Sequence, residues 1–159
     1  MTEPRVWTTR QTVRVAAPPQ RVFELVANID RWPTLVDSLA AVERLGFEGV
    51  CERVRFSARS GETWTSVREM NTRRLQVRFR QVSPKMPFAS AGGLWLVVPK
   101  GTGAAIALDH YFRVVDDSPV TAARMERELT AWGAAVLGSL RRTAEFGGMA
   151  DLIRPVRAT

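Results

Sequence analysis

The sequence predicts an α+β fold in which a curved antiparallel sheet wraps around one long C-terminal helix, with two short helices after the first strand. Three observations predict it. Residues 7–15 alternate with the period of a strand, residues 40–115 read as strand after strand separated by turn residues, and a long segment of helical periodicity follows. A sheet with one apolar face and a helix with one apolar stripe can bury a single shared interior.

Trp7, Thr9, Gln11, Val13 and Val15 fall on one side of the first segment, and Thr8, Arg10, Thr12 and Arg14 on the other, which is a half-buried strand. Pro18 and Pro19 break it and open residues 20–28, where Val22, Phe23, Leu25 and Val26 recur at helical spacing. The run Asp30-Arg31-Trp32-Pro33 restarts the chain, with Asp30 a candidate cap and Pro33 suited to a first turn, leading into a second short helix near Leu35 to Ser38. Turns are expected at Gly46 to Gly49, Ser60-Gly61, Asn71-Thr72, Pro84 to Pro87 and Lys100 to Gly103, and connections this short favour antiparallel neighbours. Leu75, Val77, Phe79 and Gln81 alternate with Arg74, Gln76, Arg78 and Arg80. Val54, Phe56 and Ala58 alternate likewise with Arg53, Arg55 and Arg59, so the sheet has one apolar and one cationic face. Ser118 caps the final helix and Pro119 occupies its first turn. Met125, Leu129, Trp132, Val136 and Leu140 form its stripe, and Gly147-Gly148 are expected to stop it after Phe146. Residues 1–150 are thus expected to form a single domain with an internal cavity, and residues 151–159 a frayed tail.

Composition narrows the function. A chain of 159 residues supports one core and one ligand cavity rather than two domains. No apolar run approaches the roughly 20 residues that span a bilayer. The stretch from Met1 to Arg14 lacks the apolar core of a secretory signal, so the expectation is a cytoplasmic protein with no membrane partner. A lone Cys51 excludes an internal disulfide or thiolate cage, and a lone His110 excludes multi-histidine zinc sites, so chemistry without metal or cofactor is expected. The formal net charge is +7, and all but two of the 23 basic residues, Lys85 and Lys100, are arginine. Such a balance admits nucleic acid or an acidic protein as partner. The arginines, however, alternate along strands on the outer face and form no continuous base-reading element, so no nucleic-acid partner is expected. Phosphate loops, dinucleotide fingerprints and nucleophile elbows are absent, and Gly101-Thr102-Gly103 reads as a hairpin turn.

Two strands carry residues of chemical interest. Trp64, Ser66, Arg68 and Met70 share one face; an arginine is usually solvated, but Trp64 and Met70 beside it favour the inward assignment. Ile106, Leu108, His110, Phe112 and Val114 share the apolar face of another strand, with Asp109, Tyr111 and Arg113 opposite. An inward histidine is either a core residue bonded to a carbonyl or a general acid/base. An inward arginine on the same sheet raises the second reading, because a buried cation is costly unless something anionic, permanent or transient, meets it. Phe88, Trp95 and Trp132 offer surfaces for a planar ligand, and Glu128 turns either to the cavity or to solvent. Cys51 has no adjacent histidine and is a poor nucleophile.

These elements resemble a known family. Val15-Ala16-Ala17-Pro18, the Val22-Phe23 helix, Asn28-Ile29-Asp30-Arg31-Trp32-Pro33, Thr63-Trp64-Thr65-Ser66-Val67-Arg68, Arg80-Gln81-Val82, Pro87-Phe88 with Trp95, and Leu108-Asp109-His110-Tyr111-Phe112 are similar to the aromatase/cyclases of bacterial type II polyketide synthases. These are members of the START-like helix-grip superfamily. The resemblance covers nearly the whole chain, and the Trp-Thr-Ser-x-Arg and His-x-Phe elements, similar to monodomain first-ring cyclases, are its most specific parts.

The resemblance implies a poly-β-ketone substrate tethered to an acyl carrier protein, closed by an intramolecular aldol and dehydrated to an aromatic ring, without cofactor or metal. Arg68 matches the family's cavity arginine, which holds a ketone or enolate oxygen, and His110 a histidine that some members use for proton transfer. Trp64, Ser66, Met70, Phe79, Phe88, Trp95, Leu108, Phe112, Glu128 and Trp132 are the expected substrate-binding residues. Three departures stand out. Where the family often has a polar or acidic residue on the inner face of the terminal helix, this chain reads Leu129-Thr130-Ala131-Trp132-Gly133, leaving Glu128, Thr130 or water to substitute, or a smaller pocket. A tyrosine common after the Trp-Pro element is Leu39 here, and Ala89-Ser90-Ala91-Gly92-Gly93 is unusually small. The alternative is a non-catalytic START-like binder of a hydrophobic small molecule or lipid. The expected assembly is a monomer or homodimer.

Overall fold

Local chemistry sets each boundary in the computed structural model, which describes residues 3–153 and their side chains as far as residue 147. The first strand, β1 (Trp7–Val15), ends before Pro18, and Pro19 opens helix α1 (Pro19–Ala27), which buries Val22, Phe23, Leu25 and Val26. A 3-10 turn over Ile29–Arg31 runs directly into α2 (Trp32–Leu35), with Pro33 in its first turn. The second helix thus starts earlier than expected. Asp30 does not cap it, because its carboxylate accepts from the Arg44 guanidinium at 3.2 Å instead.

Strands β2 (Leu39–Glu48), β3 (Cys51–Ala58), β4 (Thr63–Asn71), β5 (Gln76–Val82), β6 (Phe88–Lys100) and β7 (Gly103–Val114) follow, and helix α3 (Pro119–Ile153) comes last. All seven strands form one antiparallel sheet in the order β1-β7-β6-β5-β4-β3-β2. Of the expected turn residues, Gly46 lies inside β2, where the register slips between Arg44 and Gly46, and only Gly49 makes the turn. A bulge needs the same permissive backbone as a turn, and Gly46 with φ of 139° supplies it.

Ser118 caps α3 as expected, its Oγ accepting from the amides of Val120 and Thr121. Gly147 and Gly148 do not stop the helix, which continues to Ile153. Glycine terminates a helix by adopting the left-handed conformation, and Gly147 does not adopt it; inside a helix it costs only about 1 kcal/mol. The expected tail therefore starts as helix over residues 151–153, and residues 154–159 lie outside the described part.

The core lies between the concave face of the sheet and α3. Its larger part joins α1 and α2 to Leu108, Ile106, Val136, Leu137 and Leu140. A smaller cluster of Phe112, Val114, Ala122 and Met125 closes the far end of α3.

Candidate active site

One transverse row of the sheet organises the interior. Strand pairing sets Glu52 opposite Arg68, Arg68 opposite Phe79, Phe79 opposite Gly93, Gly93 opposite His110, and His110 opposite Thr9. Directly paired residues project from the same face. The row therefore runs along the inner surface from a buried acid through Arg68 to His110 and on to β1. Arg68 and His110 sit three strand spacings apart, about 14 Å along the sheet. Phe79 and Gly93 occupy the positions between them.

Gly93 is what allows Phe79 to lie there. A Cβ at Gly93 would sit 2.5 Å from Phe79 Cζ and would collide with the backbone carbonyl of Asp109. The Phe79 ring instead meets His110 edge-on, with centroids 5.8 Å apart, and Trp132 of α3 meets the imidazole from another side at 6.3 Å.

Arg68 is 4% exposed, and its guanidinium donates to the carbonyls of Val26 at 3.0 Å and Ala27 at 3.2 Å. Trp32 Nε1 donates to the Leu25 carbonyl at 2.9 Å. The last turn of α1 leaves these carbonyls without intrahelical partners, so Arg68 and Trp32 together cap the helix from inside the protein. Trp32 also lies under the guanidinium, 5.8 Å from its ring centroid. Burial, with a smaller contribution from the Arg44 charge, lowers the Arg68 pKa to about 9, which leaves it a cation at neutral pH. Arg44 is itself held by Asp30 and by Glu52, a residue only 3% exposed.

His110, also 4% exposed, has a different setting. Its Nδ1 is buried and has no hydrogen-bond partner. Burial pushes its pKa down to about 4 against the opposing pull of Asp109, so the ring is neutral at pH 7. The Asp109 carboxylate faces outward in a two-pronged ion pair with Arg10, at 2.6 and 2.8 Å.

Between these two ends lies a cavity of about 320 Å³. Ten of the expected residues line it: Arg68, His110, Trp64, Ser66, Phe79, Phe88, Trp95, Phe112, Glu128 and Trp132. Two expected residues do not. Met70 is 44% exposed near the end of β4 and borders a separate surface depression with Arg31 and Arg44. That depression is lined by α1 and by Thr143 and Gly147 of α3, so Met70 shares the inner face but lies outside the cavity. Leu108 points inward but is fully buried in the core, under Gly133. Glu128 is exposed at the cavity rim, and Thr130 is exposed, with only its carbonyl engaged, by Gln11 Nε2. Neither side chain replaces an inward acid on α3; Trp132 occupies that wall.

Trp32, Phe56, Gln81, Met125 and Leu129 also line the cavity and were not singled out from the sequence. The signal for Phe56 and Gln81 was present, since each shares an alternation face with residues assigned inward. The alternation that places Val54 and Phe56 inward also turns Glu52 inward. The cavity opens where exposed Glu62, Lys85 and Met86 border it, with Lys85 Nζ 4.0 Å from the Glu62 carboxylate. Among the described residues, no three His, Cys, Asp or Glu side chains gather to hold a metal, and no helix is long and apolar enough to cross a membrane.

Residues 6–145 match the family model described as polyketide cyclase / dehydrase and lipid transport. The chain belongs to that family. It is 39% identical over 152 residues to the granaticin polyketide synthase bifunctional cyclase/dehydratase of Streptomyces violaceoruber, covering 93% of this chain and 47% of that protein. The chain thus spans about half the length of that relative. Among solved structures, it resembles the di-domain ARO/CYC BexL from the BE-7585A biosynthetic pathway, with a TM-score of 0.78 and 25% identity over 94% of this chain and 48% of that one. The Zhui aromatase/cyclase from Streptomyces sp. R1128 shares the fold, with a TM-score of 0.73 and 24% identity over 91% of this chain and 99% of that one. The helix-grip architecture expected from the sequence is the one observed.

Proposed function

We propose that this chain is a cofactor-independent polyketide cyclase/aromatase that folds a carrier-tethered poly-β-ketone in the cavity, closes a ring by an intramolecular aldol and dehydrates it. The observation that carries this reading is a fixed cation and a neutral imidazole at opposite ends of one aromatic-walled cavity. The family membership and the cyclase/dehydratase relative support it.

In this reading the substrate ketone nearest Arg68 accepts a hydrogen bond from the guanidinium, whose orientation is fixed by the Val26 and Ala27 carbonyls. Stabilising the oxygen as it becomes enolate is the work of a preorganised donor. His110 takes the α-proton; the enolate carbon then bonds to a second carbonyl carbon, whose alkoxide takes a proton back. Loss of a further α-proton and of the hydroxyl, as one water, forms the double bond. The neutral imidazole is free to accept a proton at pH 7, and burial, which disfavours the imidazolium, drives the proton back to the alkoxide. The volume of about 320 Å³ lies at the small end of ligand pockets, which fits one folded segment rather than a long chain buried whole. The rest of the chain then lies toward the mouth at Lys85, and the net charge of +7 on the whole chain favours the approach of an acidic carrier protein.

The aromatic wall of Trp32, Phe56, Trp64 and Trp95 supports a second reading, a non-catalytic binder of an apolar molecule. Reconstitution with a minimal polyketide synthase separates the two. The cyclase reading expects the wild-type chain to redirect products to the aromatic ring, with Arg68→Ala and His110→Ala each slowing this by roughly 10²- to 10³-fold. An unchanged product profile with the wild-type chain would count against it, as would full activity in both variants.

A further inference from the structure

We propose that Thr9, on the edge strand β1, is a positioning residue that holds His110 in its working tautomer, its Oγ1 accepting a hydrogen bond from Nδ1–H. The inference rests on the acid/base role of His110 proposed above.

Its basis is a pair of unsatisfied atoms. Thr9 Oγ1 and His110 Nδ1 are both buried, and neither has a hydrogen-bond partner. Buried polar groups left unpaired are costly, so a complementary pair side by side calls for a reason. Thr9 and His110 are direct partners in the β1–β7 ladder, and their side chains leave the sheet on the same face. Partners in such a ladder have Cβ atoms about 4.5–5.5 Å apart, a gap that a hydroxyl and a ring nitrogen bridge by a small rotation about χ1.

The other neighbours of the ring offer Nδ1 no such partner. Phe79 has no polar atom, Gly93 has no side chain, and the Asp109 carboxylate is committed to Arg10 on the outer face. The indole Nε1–H of Trp132, also buried and unpartnered, is a donor and cannot accept from Nδ1–H, and the unpartnered Gln11 Oε1 is packed against Gly133. Arg68 and Glu128 border the same cavity, but Arg68 is held at α1 and Glu128 is exposed at the rim.

The chemistry decides the direction of the bond. A buried Nδ1 cannot reach substrate, so the nitrogen that exchanges protons is Nε2. For Nε2 to be basic, the single proton of the neutral ring must sit on Nδ1, and a hydroxyl oxygen is an acceptor for it. A hydroxyl orients the ring without the negative charge of a carboxylate. It therefore leaves the imidazolium a stronger acid toward the alkoxide than a carboxylate partner would.

His110 is the chain's only histidine, so nitrogen chemical shifts of a histidine-labelled sample report on it alone. At pH 7 the wild type is expected to show Nδ1 protonated. Thr9→Val, which keeps the shape and removes the hydroxyl, should move the population toward the Nε2–H tautomer, and Thr9→Ser should restore it. In the reconstituted reaction, Thr9→Val should lower kcat about tenfold with KM little changed, and should have no further effect in a His110→Ala background. Identical imidazole shifts in wild type and Thr9→Val would overturn the proposal, as would a Thr9→Ser variant that fails to restore them. If His110→Ala proves fully active, the acid/base reading fails, and the tautomer measurement still decides whether Thr9 holds the ring.

Discussion

The two ends of the inner row are buried alike and built differently. At the β4 end, Arg68 is tied to the fold: its guanidinium closes the last turn of α1, rests on Trp32 and neighbours the Asp30–Arg44–Glu52 network. At the β7 end, His110 is held by aromatic edges and strand pairing, with Nδ1 unpartnered. Arg68 has a structural duty beside its proposed role, while His110 has no visible structural duty. Loss of activity on mutation therefore means different things at the two ends, and only paired stability measurements separate them.

The largest effect is expected at Arg68. Arg68→Ala leaves the Val26 and Ala27 carbonyls without their donor and should cost roughly 2–4 kcal/mol in urea unfolding, on top of the loss of cyclisation that the proposed function expects. Arg68→Lys keeps a charge but cannot fork to two carbonyls, so it should recover only part of the stability. By contrast, His110→Phe retains a ring between Phe79 and Trp132 and removes a buried unpaired nitrogen. It should hold stability while abolishing activity. Equal destabilisation by Arg68→Ala and His110→Phe would erase the contrast.

Acid sharpens the same contrast. The folded-state pKa of His110, about 4, lies below the ordinary 6.5, so the unfolded chain takes up the proton first. The stability linked to this group is complete above about pH 6.5 and is lost as the pH falls toward 4. Integrated over that window it amounts to about 3 kcal/mol. The His110→Phe variant should lack that part of the acid slope, visible in chemical denaturation between pH 7 and 4. An unchanged slope would mean that the ring is better solvated than its surroundings indicate.

A third test breaks the row at its centre. Gly93→Ala sets a methyl group against Phe79 Cζ and the Asp109 carbonyl, and the backbone carbonyl cannot swing away as a flexible side-chain end would. Overpacking of this kind costs typically 1–3 kcal/mol. The variant should also displace Phe79 from the imidazole. The change is readable as a shift of the sole histidine's ring resonances, with Arg68 left in place.

Much of this contrast was legible in the sequence, and the missing part has a physical reason. Period-two alternation turned Arg68 and His110 inward, because on a half-buried strand the period fixes the face. It could not show that Arg68 caps α1, since that contact joins residues about 40 positions apart in the chain. Alternation also carried Met70 too far. It reports which face a residue shares and not where along the strand the cavity ends. Glu52 lay on the same inward face, but an acid there made little sense without Arg44, which a bulged edge strand brings to it. Glycines misled in the other direction: Gly46 entered a bulge and Gly147 stayed in the helix, because a permissive residue allows a turn without requiring one.

The smallest effect is expected at the mouth, where neither end of the row reaches. Lys85 and Glu62 are both largely exposed, and their charged atoms are 4.0 Å apart, so water and salt screen most of their attraction. Glu62→Gln should leave thermal stability unchanged within about 0.5 kcal/mol. It also removes the only carboxylate paired with Lys85 among the described residues, freeing that ammonium for an incoming anion. If the acidic carrier meets the protein at this rim, Glu62→Gln should lower the apparent KM for carrier-bound substrate about twofold. The benefit should fade as salt rises, with kcat and His110-dependent proton transfer unaffected. A change confined to kcat would instead place Glu62 within reach of the reacting carbons and move the working centre of the cavity toward its mouth.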